Sequence, residues 1–362
     1  MAMNICHSNG IKTQSRFTIR PFTENDIGQV ANLFFHHFPE YIHSDMHQLE
    51  SKLASGLSCS NRPLVCSSSN GTIQGYLSVK LLDFIFKGKP VTGAIFSDFM
   101  VNEKARSALV PMRMLQTALK GPQDFSFSDD AVYASYLMWC RLGGQIAYPY
   151  SFYYTMILRP VSFSLQMVEK KFTTGVKLFS GNTSRRARTM WQSLRNAFSH
   201  PSGSNKLSAD KLSGKILEEK LTSLMSGYEL YPSVDGGSLN RLIDSLKNEK
   251  QFGDLQAAAL SDSQNKMRGW FIYYLNGTGR CNVIHAECLP GHEEKLYDSL
   301  KEHSFSRGGV KVAGRLSPWQ MGSSFSEKTI NRPGEKWSLI HSKNQELLQT
   351  VQSGKAFLTR CW

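Results

Sequence analysis

A basic turn at Arg106–Pro111 is the part of this chain best equipped for chemistry. It joins an apolar run, VTGAIFSDFMV (91–101), read as a strand, to ALVPMRMLQTALK (108–120), read as a helix. Pro111 fits such a helix only in its first turn. A strand that empties into a helix start leaves the first backbone N–H groups without partners and aims them at one spot. That arrangement suits a phosphate or pyrophosphate. The expected donors are the amides of Ser107, Ala108, Leu109 and Val110 and the Arg106 side chain; Pro111 has no N–H to give. Asp98 lies on the strand, and alternation places Phe96 and Met100 on its side. Tyr133 and Tyr136 lie on the following helix, DAVYASYLMWCRL (130–142), which Gly143-Gly144 stops. FFHHFPEYIHSDMH (34–47) gathers His and carboxylates, but its spacings match no metal motif, and no metal is expected.

The elements around the turn read as an α/β (α+β) protein. RFTIRPF (16–22) alternates like a strand, and Thr23 with Asp26 forms a capping-box-like start for the helix IGQVANLFFHHF (27–38). PLVCSS (63–68) and TIQGYLSVKLLDFIF (72–86) flank the hairpin signal Asn70-Gly71. FSFS (125–128) and SFYYTMIL (151–158) complete the first set of strands. A similar order recurs later: YELYPSV (228–234), LNRLIDSLKN (239–248), DLQAAAL (254–260), GWFIYYL (269–275), CNVIHAEC (281–288), HEEKLYDSLKEHSF (292–305) and VKVAGRL (310–316). The recurrence implies an internal duplication with a degenerate second copy. The resulting division is a loose N-terminus (1–15), a first domain (16–165), a basic linker (166–215) and a second domain (216–362).

Charge is unevenly spread. The chain carries a formal +13 over 362 residues, which favours acidic partners. Residues 169–215 hold ten Lys/Arg against Glu169 and Asp210, so most of the excess sits there rather than across a nucleic-acid-binding face. Within it, 184–198 places Ala187, Met190, Trp191, Leu194 and Phe198 on one helical face. Two readings stand: a linker helix docked on the domains, or a peripheral contact with an anionic membrane. No stacking platform or groove-reading motif accompanies the charge, so nucleic acid is not an expected partner. No apolar run reaches the roughly 20 residues of a membrane span, and the N-terminus does not read as a secretory signal. The seven cysteines form no CxxC pair and read as reduced thiols. Together these features suggest a cytoplasmic protein, with the inner membrane face as the peripheral option.

The segment 16–165 resembles the GNAT superfamily of acyl-CoA-dependent acyltransferases. FTIRPFT and ENDIGQVANLF look like its first strand and helix, and Val101 and Arg106 match its pyrophosphate loop, V-x-x-x-x-R-x-x-G-x-G/A. Leu109 and Pro111 stand at the two glycine positions, and Trp139 stands where the family has a Tyr that protonates the departing thiolate. The resemblance implies two tandem GNAT-like domains, each a twisted mixed sheet flanked by helices. It implies acetyl-CoA or another acyl-CoA as acyl donor, and direct transfer to an amine or hydroxyl acceptor. Cofactor contacts would come from Phe99, Met100, Val101, Arg106, Ser107, Ala108, Leu109 and Val110, with strand amides near Phe99 and Met100 facing the oxyanion. Asp98 would act as base, and Tyr136 or Tyr133 as acid. His36, His37, Glu40 and Tyr41 would line the acceptor side. The tandem layout also resembles members associated with bacterial polysaccharide production, which implies a small-molecule, sugar or cell-surface-precursor acceptor. The alternative is a catalytically inactive binding or scaffold protein on the same fold.

Overall fold

The computed structural model describes residues 17–38, 46–57, 61–106, 109–173, 207–216, 220–221, 225, 227–233, 238–318, 329–333 and 336–358. The basic stretch 184–198 lies outside them. The chain forms two compact units: Met1–Lys80 with Phe96–Gly121, and Leu81–Ile95 with Pro122–Trp362.

The first unit contains β1 (Phe17–Pro21), α1 (Ile27–His37), α2 (Met46–Ser55), β2 (Leu64–Ser68), the start of β3 (Ile73–Phe86), the end of β4 (Lys89–Val101), α3 (Glu103–Arg106) and α4 (Val110–Leu119). β1 pairs antiparallel with β2, and β2 with β3. The helix start read from Thr23 and Asp26 is present: the Asp26 carboxylate accepts from Thr23 N at 2.9 Å and Thr23 Oγ1 at 2.8 Å. Arg20 donates to both Asp26 oxygens, at 2.6 and 2.7 Å, and holds this buried carboxyl below its ordinary range. Val30, Ala31, Leu33 and Phe34 line one face of α1 and pack with Phe22, Tyr76 and Met100. That is the spacing of an amphipathic helix on a sheet.

The second unit holds the rest of β3 and β4, then β5 (Phe125–Ala131), α5 (Tyr133–Arg141), β6 (Gln145–Ile146), β7 (Phe152–Ile157), α6 (Pro160–Thr173), β8 (Ser208–Lys211), β9 (Leu230–Pro232) and α7 (Ser238–Asn248). β10 (Asp254–Ser261), β11 (Met267–Leu275), β12 (Arg280–Cys288), α8 (Glu293–Ser306), β13 (Lys311–Arg315), β14 (Thr329–Pro333), β15 (Trp337–Ser342) and α9 (Gln345–Gln352) follow. Positive φ at Lys87 (48°) and Gly88 (79°) makes the tight turn between β3 and β4. In this unit β4 pairs parallel with β5, β5 antiparallel with β15, and β15 with β6. A second sheet runs β8-β10-β11-β12-β13-β7-β14. Among the described residues its only parallel pair is β12 with β13, and α8 is the crossover between them. The architecture is the expected mixed α/β one: two mixed sheets flanked by helices.

The strands, however, are shared out in an unexpected way. SFYYTMIL, read as the last strand of the first domain, is β7, and it lies in the second sheet between β13 and β14. The place beside β5 is taken by β15, from near the end of the chain. YELYPSV, read as the first strand of the second copy, supplies β9, which pairs with Phe84–Phe86 of β3. The outer strand of the second sheet is β8, inside the stretch read as linker. Strand propensity marks which runs extend; partner choice depends on non-local packing that a local pattern does not encode. Arg315 of β13 ties the two sheets together. It donates to Ser338 Oγ of β15 at 2.8 Å and Tyr153 Oη of β7 at 2.6 Å, reaches the Asp129 carbonyl of β5, and lies 3.5 Å from the Asp129 carboxylate.

Candidate functional site

The last residues of β4 do not keep strand geometry. Asp98 has φ 50°, in the left-handed region, inside an otherwise extended strand. An unbranched polar residue tolerates this conformation at a cost of about 1 kcal/mol, and the kink re-aims the residues after it. The expected alternation is therefore broken: Phe96 and Met100 are buried while Ser97, Asp98 and Phe99 are half-buried. Asp98 accepts from Ser97 Oγ at 3.0 Å. Burial first, and the Asp98 charge second, push the phenol of Tyr76 up, which places this carboxylate near a buried tyrosine of the same unit. In the second unit, the β4–β5 ladder covers only Gly93–Ile95 against Phe125–Phe127, although β5 continues to Ala131. Among the described residues, β5 pairs from Ser128 on with β15 alone.

Past the kink, the turn is built around one carbonyl. The Val101 oxygen accepts from Arg106 Nε at 2.9 Å and contacts His37 Nε2 at 3.3 Å. The other ring nitrogen of His37 contacts the Leu33 carbonyl at 3.0 Å, so His37 fastens α1 to the end of β4. The Asn102 carbonyl accepts the amides of Ala105 and Arg106, closing the single turn of α3. Leu109 then takes φ 56°, ψ 18°, and caps α4. This is the backbone state for which a glycine would be chosen; here a leucine adopts it, 67% exposed. Val110 and Pro111 are the first two helical residues, as expected for the imino acid. The amides of Val110 and Met112 belong to the first turn and have no acceptor earlier in the helix. Arg113, one turn in, is exposed. Helix dipole, Arg106 and Arg113 all favour an anion at this point.

The other candidates fall as follows. Ser107, Ala108, Glu40 and Tyr41 lie outside the described residues. His36 is exposed and packs edge-on against His37, with centroids 5.2 Å apart. Tyr133 and Tyr136 belong to α5 in the second unit. Tyr133 is 62% exposed, and Tyr136 lines an open pocket of about 370 Å³ with Cys140, Tyr148, Gln145 and Gln352. A hydrogen bond with the Cys140 thiol pushes the Tyr136 phenol up. Cys140 and Tyr148 were missed in the sequence; the i,i+4 spacing of Tyr136 and Cys140 was the available signal. Trp139 is core: only 2% exposed, with its ring 3.0 Å from where a side chain at Gly144 would begin. Among the described residues, no group of three or more His, Cys, Asp or Glu is placed to hold a metal.

No family model matches the chain, and no curated protein matches its sequence. Solved structures do match its fold. A probable N-acyltransferase of unknown function from Enterococcus faecalis aligns with TM-score 0.58 at 10% identity, over 90% of this chain and 72% of that one. A GCN5-related N-acetyltransferase from Anabaena variabilis aligns with TM-score 0.56 at 12% identity, over 91% and 74%. Saccharomyces cerevisiae N-myristoyltransferase with bound myristoyl-CoA aligns with TM-score 0.51 at 11% identity, over 90% and 82%. The chain has the GNAT fold. Likeness at this identity establishes architecture, and activity has to be argued from the site.

Proposed function

We propose that this protein transfers an acyl group from acyl-CoA to an amine or hydroxyl acceptor. The observation that carries the reading is the turn Val101–Val110. Its described residues include a left-handed Leu109, two arginines and a helix start, which support the diphosphate site that the sequence resemblance implies. Arg106 is held by its Nε on the Val101 carbonyl, which orients its terminal nitrogens before any ligand arrives. Pro111 costs the site one amide, and the charge of Arg113 supplies attraction at the same helix end.

In this reading Asp98 accepts the proton of the attacking acceptor. Its kinked backbone sets the direction of the Phe99 and Met100 amides, which would face the developing oxyanion. Tyr136, in the second unit, has its phenol pushed up by the Cys140 thiol and so carries a proton at neutral pH, the state a general acid needs. His37 positions the acceptor-side helix α1. A sugar or cell-surface precursor as acceptor rests on the sequence resemblance alone.

Calorimetry with CoA and acetyl-CoA tests the reading. Wild type should bind, and Arg106→Ala should weaken binding by about tenfold or more, the worth of a charge-assisted contact. Failure of the wild type to bind either compound would leave a GNAT-fold binding or scaffold protein. Binding without turnover in Asp98→Asn, with turnover in wild type, would assign the base.

A further inference from the structure

Both ring nitrogens of His37 face carbonyl oxygens. Nδ1 lies 3.0 Å from the Leu33 oxygen and Nε2 lies 3.3 Å from the Val101 oxygen. A carbonyl oxygen only accepts. A neutral imidazole carries one N–H, so it can serve one of these oxygens and turns a lone pair on the other. The imidazolium carries two N–H groups and serves both. The geometry around His37 is therefore the geometry of the charged ring.

The Val101 oxygen also accepts Arg106 Nε at 2.9 Å, and its two lone pairs allow both bonds at once. One carbonyl thus joins α1, the end of β4 and the arginine at the turn. The charged and titratable groups on the elements around His37 are few. His36, on its own helix, meets it edge-on with centroids 5.2 Å apart. β4 and α3 carry Asp98, Glu103 and Arg106, and Arg113 stands one turn into α4. α2, which packs on α1, carries Lys52 and the pair His47 and Glu50, 3.6 Å apart. Among the described residues no carboxylate pairs with His37. The negative charge that would balance an imidazolium here does not come from the chain. An anion at the turn would supply it.

We propose that His37 is a positioning residue for the diphosphate site: its ring takes up a proton when a diphosphate binds at the turn, and the charged ring then locks the Val101 carbonyl that holds Arg106. The inference rests on the donor site of the proposed function and adds its regulation by pH. No covalent bond changes; one proton from solvent moves onto the second ring nitrogen. In the neutral ring one of the two carbonyls lacks its donor, and the tie between α1 and the end of β4 is half made. In the charged ring both bonds close, and a third cation joins Arg106 and Arg113 near the anion. The coupling is reciprocal: the anion favours the proton and the proton favours the anion. Diphosphate binding should therefore tighten as pH falls through the range in which an imidazole gains its charge.

The test is calorimetry of the full chain with CoA and, separately, inorganic pyrophosphate, from about pH 5 to about pH 8, with the ring nitrogens of His37 followed by NMR. Pyrophosphate should move both nitrogen signals of His37 toward the doubly protonated form. CoA affinity should fall by about tenfold toward the alkaline end relative to His37→Gln, the effect of a tenfold difference in proton affinity between free and bound states. Gln keeps an N–H donor and does not titrate, and titration of the ligand's own phosphates cancels in the comparison. Parallel pH profiles for wild type and His37→Gln, or nitrogen signals that pyrophosphate does not move, would overturn the proposal. Should the variant not fold, the His37 signals of the wild type still decide. CoA binding with parallel profiles would keep acyl transfer and remove the linkage. Absence of CoA binding, with pyrophosphate still protonating His37, would do the reverse, and binding of neither compound would overturn both.

Discussion

Replacing Glu287 by Gln should make the protein more stable at pH 8 and leave it unchanged at pH 4. Burial raises this carboxyl from an ordinary 4.5 to about 7. In the folded state it therefore keeps a proton that the unfolded chain has already lost. Between those two values the native state binds more protons than the unfolded one, and stability falls with rising pH. The contribution is complete below about pH 4.5, declines through the window, and is gone above about pH 7. Its full size is about 3 kcal/mol, since each tenfold change in proton affinity is worth about 1.4 kcal/mol. Gln has the same shape, accepts the same bonds from Tyr228 and Ser317, and does not titrate. Urea unfolding of both proteins at several pH values, followed by tryptophan fluorescence, gives the difference directly. Other titrating groups, such as Asp26 and His303, cancel in that difference. Curves that stay parallel from pH 4 to pH 8 would refute the argument, because they would mean Glu287 is as well solvated folded as unfolded.

Four further outcomes follow from the geometry. Leu109→Gly should stabilise the first unit by up to about 1 kcal/mol in urea unfolding, because it relieves a left-handed backbone at a largely exposed side chain. Gly93→Ala should cost about 2 kcal/mol or more in the same assay, since the added carbon would lie 2.5 Å from the Phe125 ring and 2.7 Å from Phe84. Arg315→Ala should cost about 2–4 kcal/mol, because it removes bonds to Ser338, Tyr153 and Asp129 at once. Asp26→Asn should destabilise at neutral pH and progressively less as the solution is acidified. Arg20 holds that carboxyl below its ordinary value, so its contribution is present above about pH 4 and lost as pH falls.

Much of the first unit was legible because its signals are local. The cap at Thr23–Asp26, the apolar face of α1, the hairpin at Asn70-Gly71 and the proline in the first turn of α4 each depend on a few neighbouring residues. Asp98 was misplaced because alternation assumes an extended backbone, and one left-handed residue breaks it. The partners of β7, β9 and β15 were illegible for a different reason. Each pairs with a strand distant in sequence, and no short window carries that preference. Glu287 drew no attention as one acid in an ordinary strand; its significance comes from burial and from Tyr228 and Ser317, 59 and 30 residues away.

The placement of β15 bears on how the chain is made. While the ribosome is still adding residues beyond 146, β5 and β6 have no strand between them, and they stay that way until Trp337–Ser342 emerge. For most of synthesis the nascent protein thus displays a bare strand edge, the feature most prone to pairing with the wrong chain. Severing the gene between its halves would make that state permanent, so neither fragment should accumulate as a well-behaved product unless the other is expressed beside it.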